Sequence, residues 1–259
     1  LTSATLGTGI SSIPDYMFSS CSALTSVVLP ENITGIGKYA FQSTAFTELP
    51  LTASITEIKD YAFKSCTKLT SVVIPDRVTK LGTYVFQSCT GLESAKIGGG
   101  VTSVPNYMFH GCTNLVNVEL SEKVTSIGNS AFYNCKGLKS LPVTESITSI
   151  GTNAFYGCTS LTSVNLSDKV TSLGASAFYG CSSLTEAVLG TGITTLGSSL
   201  FRNDAKLKKV VANGKIASVS TYTFNGCSSL ERIYINNTPP TGASSNTSVS
   251  YTHLRAHET

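Results

Sequence analysis

Apolar residues return along this chain in a fixed order: after Phe63 come Leu69, Val72, Ile74, Val78 and Leu81 before Phe86 closes the cycle. The same ladder follows Phe132 (Leu138, Leu141, Val143, Ile147, Ile150, Phe155) and Phe178 (Leu184, Ala187, Leu189, Ile193, Leu196, Phe201). Ten phenylalanines, from Phe18 to Phe224, recur every 23 residues, with one 22-residue interval between Phe41 and Phe63. A fixed period of roughly 20–50 residues marks a solenoid, because each unit is one supersecondary element that buries its apolar face only against its neighbours. In the short interval Phe46 takes the place of the first Leu, and register resumes at Leu49. A loop therefore absorbs the deletion and the core does not.

Each unit predicts one short strand, since Leu24–Leu29 and Leu161–Leu166 place polar Thr and Ser beside alternating apolar residues. Turn formers follow: Pro30-Glu31-Asn32, Pro75-Asp76-Arg77, Gly98-Gly99-Gly100 and Gly190-Thr191-Gly192. Three residues before Phe stand Asp15, Asp60, Thr83, Asn106, Asn129, Thr152, Ser198 and Thr221, which reads as N-cap chemistry and predicts one helical turn around each Phe. Two residues after Phe, Gly111, Gly157, Gly180, Gly226, Asn134 and Asn203 suit a left-handed conformation. Four residues before Phe, Gly37, Gly82, Gly128, Gly151, Gly174 and Gly197 share their slot with Pro14 and Pro105, so that slot requires a small or turn-shaped residue rather than positive φ.

The segment Leu69-Thr70-Ser71-Val72-Val73-Ile74-Pro75 through Val78, Leu81-Gly82, Val85-Phe86 and Cys89 resembles the 23-residue leucine-rich repeat of the Treponema type, found in BspA-like bacterial surface proteins. The resemblance runs from residue 1 to about residue 238. It implies a repeat solenoid: a right-handed leucine-rich-repeat superhelix with a parallel concave β-sheet, continuous from end to end, and one short helical turn per repeat on the convex side. It also implies a role in adhesion or surface binding, although one fold hosts many functions. The expected organisation is one solenoid over 1–238, of ten full units plus a final strand at Leu230–Ile235, then a polar tail or linker over 239–250. The segment 251–259 matches no repeat slot and resembles the translation of a sequencing adapter, so it is read as an artefact. The chain opens mid-unit, at the strand Leu1–Leu6, without a polar capping repeat, and a fragment of a longer protein is expected.

All eight cysteines occupy the slot three residues after Phe, Cys89, Cys112, Cys135, Cys158 and Cys181 among them, while Thr44 and Asp204 fill the other two. That is a core position beside Phe86, Phe109, Phe132, Phe155 and Phe178, without the convergent spacing of a metal motif. Stacked coils lie about 4.8 Å apart, within reach of a disulfide, but ladder side chains point the same way, so buried free thiols are expected.

Tyrosine forms a stripe. Tyr16, Tyr39, Tyr61, Tyr84 and Tyr107 lie two residues before their Phe, whereas Tyr133, Tyr156 and Tyr179 lie one residue after it. Two readings stand for these rings: an aromatic platform for protein or glycan, or packing over the neighbouring coil with hydroxyls in water.

The exposed slots of the concave strands are mostly Thr and Ser in early units and become varied later: Glu93, Lys96, Asn117, Glu119, Asn165, Glu186, Lys208, Lys209, Glu231, Arg232 and Tyr234. These are the candidate ligand-binding residues, set against the plainer reading of a solvated polar face.

Charged residues make up 13% of the chain and net charge is +3, which is no nucleic-acid footprint. No segment reaches the roughly 18 apolar residues of a membrane span. His110 is the only histidine outside the tail, no hydrolase, metalloprotease or phosphate-loop motif occurs, and no cofactor or catalytic role is expected. The expectation is a monomeric, non-catalytic extracellular or cell-surface module that binds a protein or glycan. The alternative is a spacer rod of about 50 Å that presents another domain.

Overall fold

The computed structural model describes residues 1–235 and 251–253. The expected tail at 239–250 and the end of the supposed artefact, 254–259, lie outside them. The chain is a parallel β-solenoid of about ten stacked coils. One coil shows the path: the strand Ser71–Ile74, a turn at Pro75, the two-residue strand Lys80–Leu81, then a run of turns carrying Phe86. Side chains alternate as a half-buried strand requires, with Val72 and Ile74 inside and Val73 61% exposed.

Register between coils is the sequence period. Ser71 pairs with Ser94 and Ile74 with Ile97, and across the short interval Ile36 still pairs with Ile58. Phe46 is buried in the Leu slot, so the deletion leaves the core in register. The ten repeat phenylalanines are buried and stack along the axis with centroids 5.2–5.9 Å apart. Beside them runs the sulfur ladder: Cys112 Sγ donates to Phe86 O at 3.1 Å and Cys158 Sγ to Phe132 O at 3.2 Å, each one coil back. All eight cysteines are free.

The helical turn expected around each Phe is not there; no helix occurs among the described residues. Residues two before and two after each Phe have positive φ, as at Tyr84 (58°) and Ser88 (59°), and a helix cannot pass through them. Alternate amides then leave the coil. Tyr84 N, Phe86 N and Ser88 N donate to Asn106 O, Met108 O and His110 O of the next coil, while Gln87 N and Cys89 N close tight turns onto Tyr84 O and Phe86 O. The segment is a third hydrogen-bonded ladder along the stack. The supposed N-cap residues serve it from coil to coil: Asp60 Oδ1 accepts from Thr83 N at 2.7 Å, and Asn106 Oδ1 from Asn129 N at 2.7 Å. Gly82 and Gly174 sit where a Cβ would fall 2.4 and 2.3 Å from the preceding coil's backbone nitrogen, and neither has positive φ. Close approach explains why that slot is small.

The concave sheet is not continuous either. Among the described residues it falls into three pieces: Ser3–Thr5 with Ser26–Val28; Ser71–Ile74, Ser94–Ile97 and Asn117–Leu120; and Ser163–Asn165, Glu186–Leu189, Lys209–Ala212, Arg232–Ile235 and Tyr251–His253. The two missing strands are where the slots read Leu49-Pro50 and Leu141-Pro142, and proline brings no N–H to the ladder. The second face, of two-residue strands from Ser12–Ile13 to Ser218–Val219, likewise falls into three pieces among the described residues and carries an exposed row of threonines from Thr34 to Thr194. Their hydroxyls tie coil to coil, as Thr148 Oγ1 does in donating to Thr125 O at 3.1 Å.

Candidate functional site

Two surfaces present chemistry beyond the repeat itself. The first is the C-terminal part of the concave sheet, where register places Glu186 beside Lys209 and Lys209 beside Arg232. Lys209 Nζ meets Glu186 Oε1 at 2.7 Å and lies 6.0 Å from the centroid of the Tyr234 ring. The lysine is thus held between a carboxylate and an aromatic ring, all three half-buried. Two residues along the same strands, Val188, Val211 and Tyr234 align in a half-buried apolar strip on the same face. Lys208, Glu231 and Arg232 are exposed around this strip.

The other candidates on this face are more scattered. Lys96 and Glu119 form an exposed pair at 3.3 Å, which is worth little in water. Glu93, Asn117 and Asn165 are exposed, and Asn165 stands next to the interruption at Pro142. The structure therefore gathers Glu186, Lys208, Lys209, Glu231, Arg232 and Tyr234 into one patch, and leaves Glu93, Lys96, Asn117 and Glu119 on the middle piece of the sheet.

The second surface is the tyrosine stripe. Tyr16, Tyr39, Tyr61, Tyr84 and Tyr107 stack with centroids 4.3–5.0 Å apart and planes within 16° of parallel. Tyr133, Tyr156 and Tyr179 continue at 4.6 and 4.4 Å. The join between the two slots is His110, stacked on Tyr133 at 4.7 Å and tilted against Tyr107 at 6.0 Å. At the far end Arg202 lies 5.7 Å from the Tyr179 ring and 5.2 Å from that of Tyr222. Neither His110 nor Arg202 was among the sequence candidates. The available signal was an aromatic ring and a cation in the slot after Phe, on the two coils where the tyrosine changes or leaves that slot.

Stacking fixes what this stripe can offer. Each inner ring is covered on both faces by its neighbours, so an approaching molecule meets ring edges and hydroxyls. Desolvation, then the charge of the adjacent phenol, raises the Tyr84 and Tyr156 hydroxyls above the usual range. Five of the stacked tyrosines, Tyr84 and Tyr107 among them, hold a left-handed backbone, at a cost of about 1–2 kcal/mol each. A stacked aromatic pair returns about 0.5–1.5 kcal/mol. The two nearly cancel.

An open cleft of about 480 Å³ lies on the second face among Asp15, Lys38, Lys59, Asp60 and Lys80. Its lining mixes lysines with carboxylates, Lys59 and Asp15 forming an exposed pair at 3.9 Å. His110 is half-buried, and desolvation lowers its pKa, which favours the neutral ring. Among the described residues no group of three or more His, Cys, Asp or Glu could hold a metal ion, and no helix is long and apolar enough to cross a membrane.

Comparison with known proteins agrees with this geometry. The family model described as "BspA type Leucine rich repeat region" matches residues 1–116 and 102–231, in 6 copies. A leucine-rich repeat protein from Bacteroides ovatus superposes with a TM-score of 0.81 at 26% identity, over 96% of this chain and 68% of that one. The leucine-rich repeat protein of T. pallidum gives 0.60 at 27% identity, over 67% of this chain and 82% of its own. A leucine-rich cell surface protein from Faecalibacterium prausnitzii gives 0.52 at 27% identity, over 91% and 82%. No curated protein matches the chain.

Proposed function

The chain belongs to the BspA-type leucine-rich-repeat family, and we propose that it is a non-catalytic binding module of a bacterial cell surface, contacting a protein or glycan through the C-terminal part of its concave sheet. The observation that carries this reading is the Lys209 side chain fixed between Glu186 and Tyr234, with Arg232 alongside. A preorganised cation next to an aromatic ring is the kind of anchor that dominates interfaces, because little side-chain freedom is lost on binding. The similar structures from Bacteroides ovatus, T. pallidum and Faecalibacterium prausnitzii are of bacterial proteins, and the last is a cell surface protein. A monomer without nucleic-acid partner or cofactor is part of the proposal.

The test compares two triple variants against a panel of extracellular-matrix proteins and a glycan array. Lys209→Ala/Arg232→Ala/Tyr234→Ala should weaken binding by about 1–2 kcal/mol or more in total, with each site changing stability by less than about 0.5 kcal/mol. Tyr133→Ser/Tyr156→Ser/Tyr179→Ser should bind like wild type. The opposite result moves the site to the tyrosine stripe. Binding of nothing on either panel favours the spacer role, which the ring stack running through all ten coils also suits.

A further inference from the structure

The net charge of this protein is not spread along the stack. Residues 1–200 carry 11 basic and 12 acidic side chains, for a net −1, whereas residues 201–235 carry six basic and two acidic ones, for a net +4. One of those two acids is Asp204, fully buried in the cysteine ladder, where desolvation pushes its carboxyl up to about 9. It contributes no charge to the surface at neutral pH. Glu231 is then the single surface acid of residues 201–235, against Arg202, Lys206, Lys208, Lys209, Lys215 and Arg232. Of the cations at the sheet, Lys209 is neutralised by Glu186, while Lys206, Lys208 and Arg232 enter none of the ion pairs formed among the described residues.

We propose that the face built by Lys206, Lys208, Arg232 and the strip Val211–Tyr234 takes an anionic polysaccharide, one whose sugar rings carry carboxylate or sulfate groups. This deepens the reading of the concave sheet as a ligand surface and rests on it. Charge complementarity supplies the anion: Lys206 and Lys208 on one coil and Arg232 on the next, about 4.8 Å along the stack, are left without an ion-pair partner among the described residues. The apolar strip beside them selects the rest of the ligand. Val188, Val211 and Tyr234 run along the stack beside these cations, so a ligand that fits both presents anionic groups together with an apolar face. A sugar acid does so, with its carboxylate on one edge and C–H groups on its ring face. An acidic peptide fits less well. Its carboxylates stand on flexible side chains that must be ordered on binding, whereas a sugar ring holds its carboxylate fixed beside its C–H face.

The experiment measures affinity for polygalacturonate and chondroitin sulfate beside neutral dextran, polyglutamate and duplex DNA. Wild type should bind the two acidic polysaccharides, less tightly as salt rises from 0.05 to 0.5 M because exposed charges are screened, and should bind dextran at least tenfold more weakly. Lys206→Gln/Lys208→Gln/Arg232→Gln, which leaves Glu186, Lys209 and Tyr234 in place, should lose at least tenfold. Arg77→Gln/Lys123→Gln/Lys169→Gln removes the same charge from exposed turns elsewhere and should change affinity less than twofold. Equal losses in the two variants, or tighter binding of polyglutamate or DNA than of either polysaccharide, overturn the inference. If a neutral glycan or a matrix protein binds through Lys209 and Tyr234 while acidic polysaccharides do not, the inference fails and the sheet remains the site. If acidic polysaccharides bind with both face triples unaffected, the sheet itself is wrong.

Discussion

Replacing Asp204 with Cys should stabilise this protein, increasingly so as pH rises. Asp204 takes a slot where most coils place a thiol, and its carboxyl is fully buried. Its Oδ1 accepts from Cys181 N at 2.7 Å, and Oδ2 has no partner. Desolvation raises the pKa to about 9, against 3.8 for the free side chain. Between those values the folded chain holds a proton that the unfolded chain has released. The raised pKa therefore favours folding fully below about pH 4, and the benefit is lost progressively as pH climbs towards 9, at about 1.4 kcal/mol per unit. At pH 7 the accumulated penalty is of order 4 kcal/mol. A thiol at this position carries no such penalty, and its Sγ can donate to Phe178 O as the other ladder thiols do to theirs. Urea unfolding of wild type, Asp204→Cys and Asp204→Asn at pH 5, 7 and 9 measures the effect. The gap between wild type and Asp204→Cys should widen with pH, and Asp204→Asn should share the flatter profile of Asp204→Cys. A gap independent of pH, or one that widens on acidification, would refute the reasoning.

Phe132→Ala should cost about 3–5 kcal/mol, since the ring is sandwiched between Phe109 at 5.4 Å and Phe155 at 5.2 Å and the site cannot collapse freely. Phe224→Ala should cost less, because that ring stacks on Phe201 alone, at 5.9 Å; equal losses in denaturant unfolding contradict the nearest-neighbour picture. Thiol labelling at pH 8 should find the six buried cysteines unreactive in native protein, with half-buried Cys21 reacting first and Cys227 more slowly, because burial pushes the Cys227 thiol up to about 12. Burial pushes Cys112 up to about 12 and Cys135 and Cys181 well above their usual value, so thiolate is scarce. Denatured protein without reductant should yield all eight; fewer than five free thiols means the ladder is bridged.

The period, the core slots and the register were legible because they depend on residue type alone. Phe, Leu, Ile and Cys recur where burial demands them, and the left-handed slot after Phe was marked by Gly and Asn. The turn ladder was not legible, for a physical reason. Asp or Asn ahead of a short apolar run is the same local signal whether its carboxyl oxygen caps a helix or accepts from a residue 23 positions on, as Asp60 does from Thr83. Tyrosine at φ near 60° gave no warning, since bulky residues ordinarily avoid that region. Pro50 and Pro142 were visible, yet the period alone says nothing about which amides a ladder needs. On the sheet face the sequence supplied residue types, while the pairing of Lys209 with Glu186 rather than Glu231 depends on register and rotamer.

Amine footprinting tests the central claim most directly: lysine modification is read residue by residue by mass spectrometry, with and without the most tightly bound member of the matrix-protein and glycan panels. The account predicts protection concentrated at Lys206, Lys208 and Lys209, with Lys38 and Lys64, which lie over the tyrosine rings at 5.6 and 5.4 Å, as reactive as in the free protein. Protection of Lys38 and Lys64 with Lys208 and Lys209 left open would contradict it.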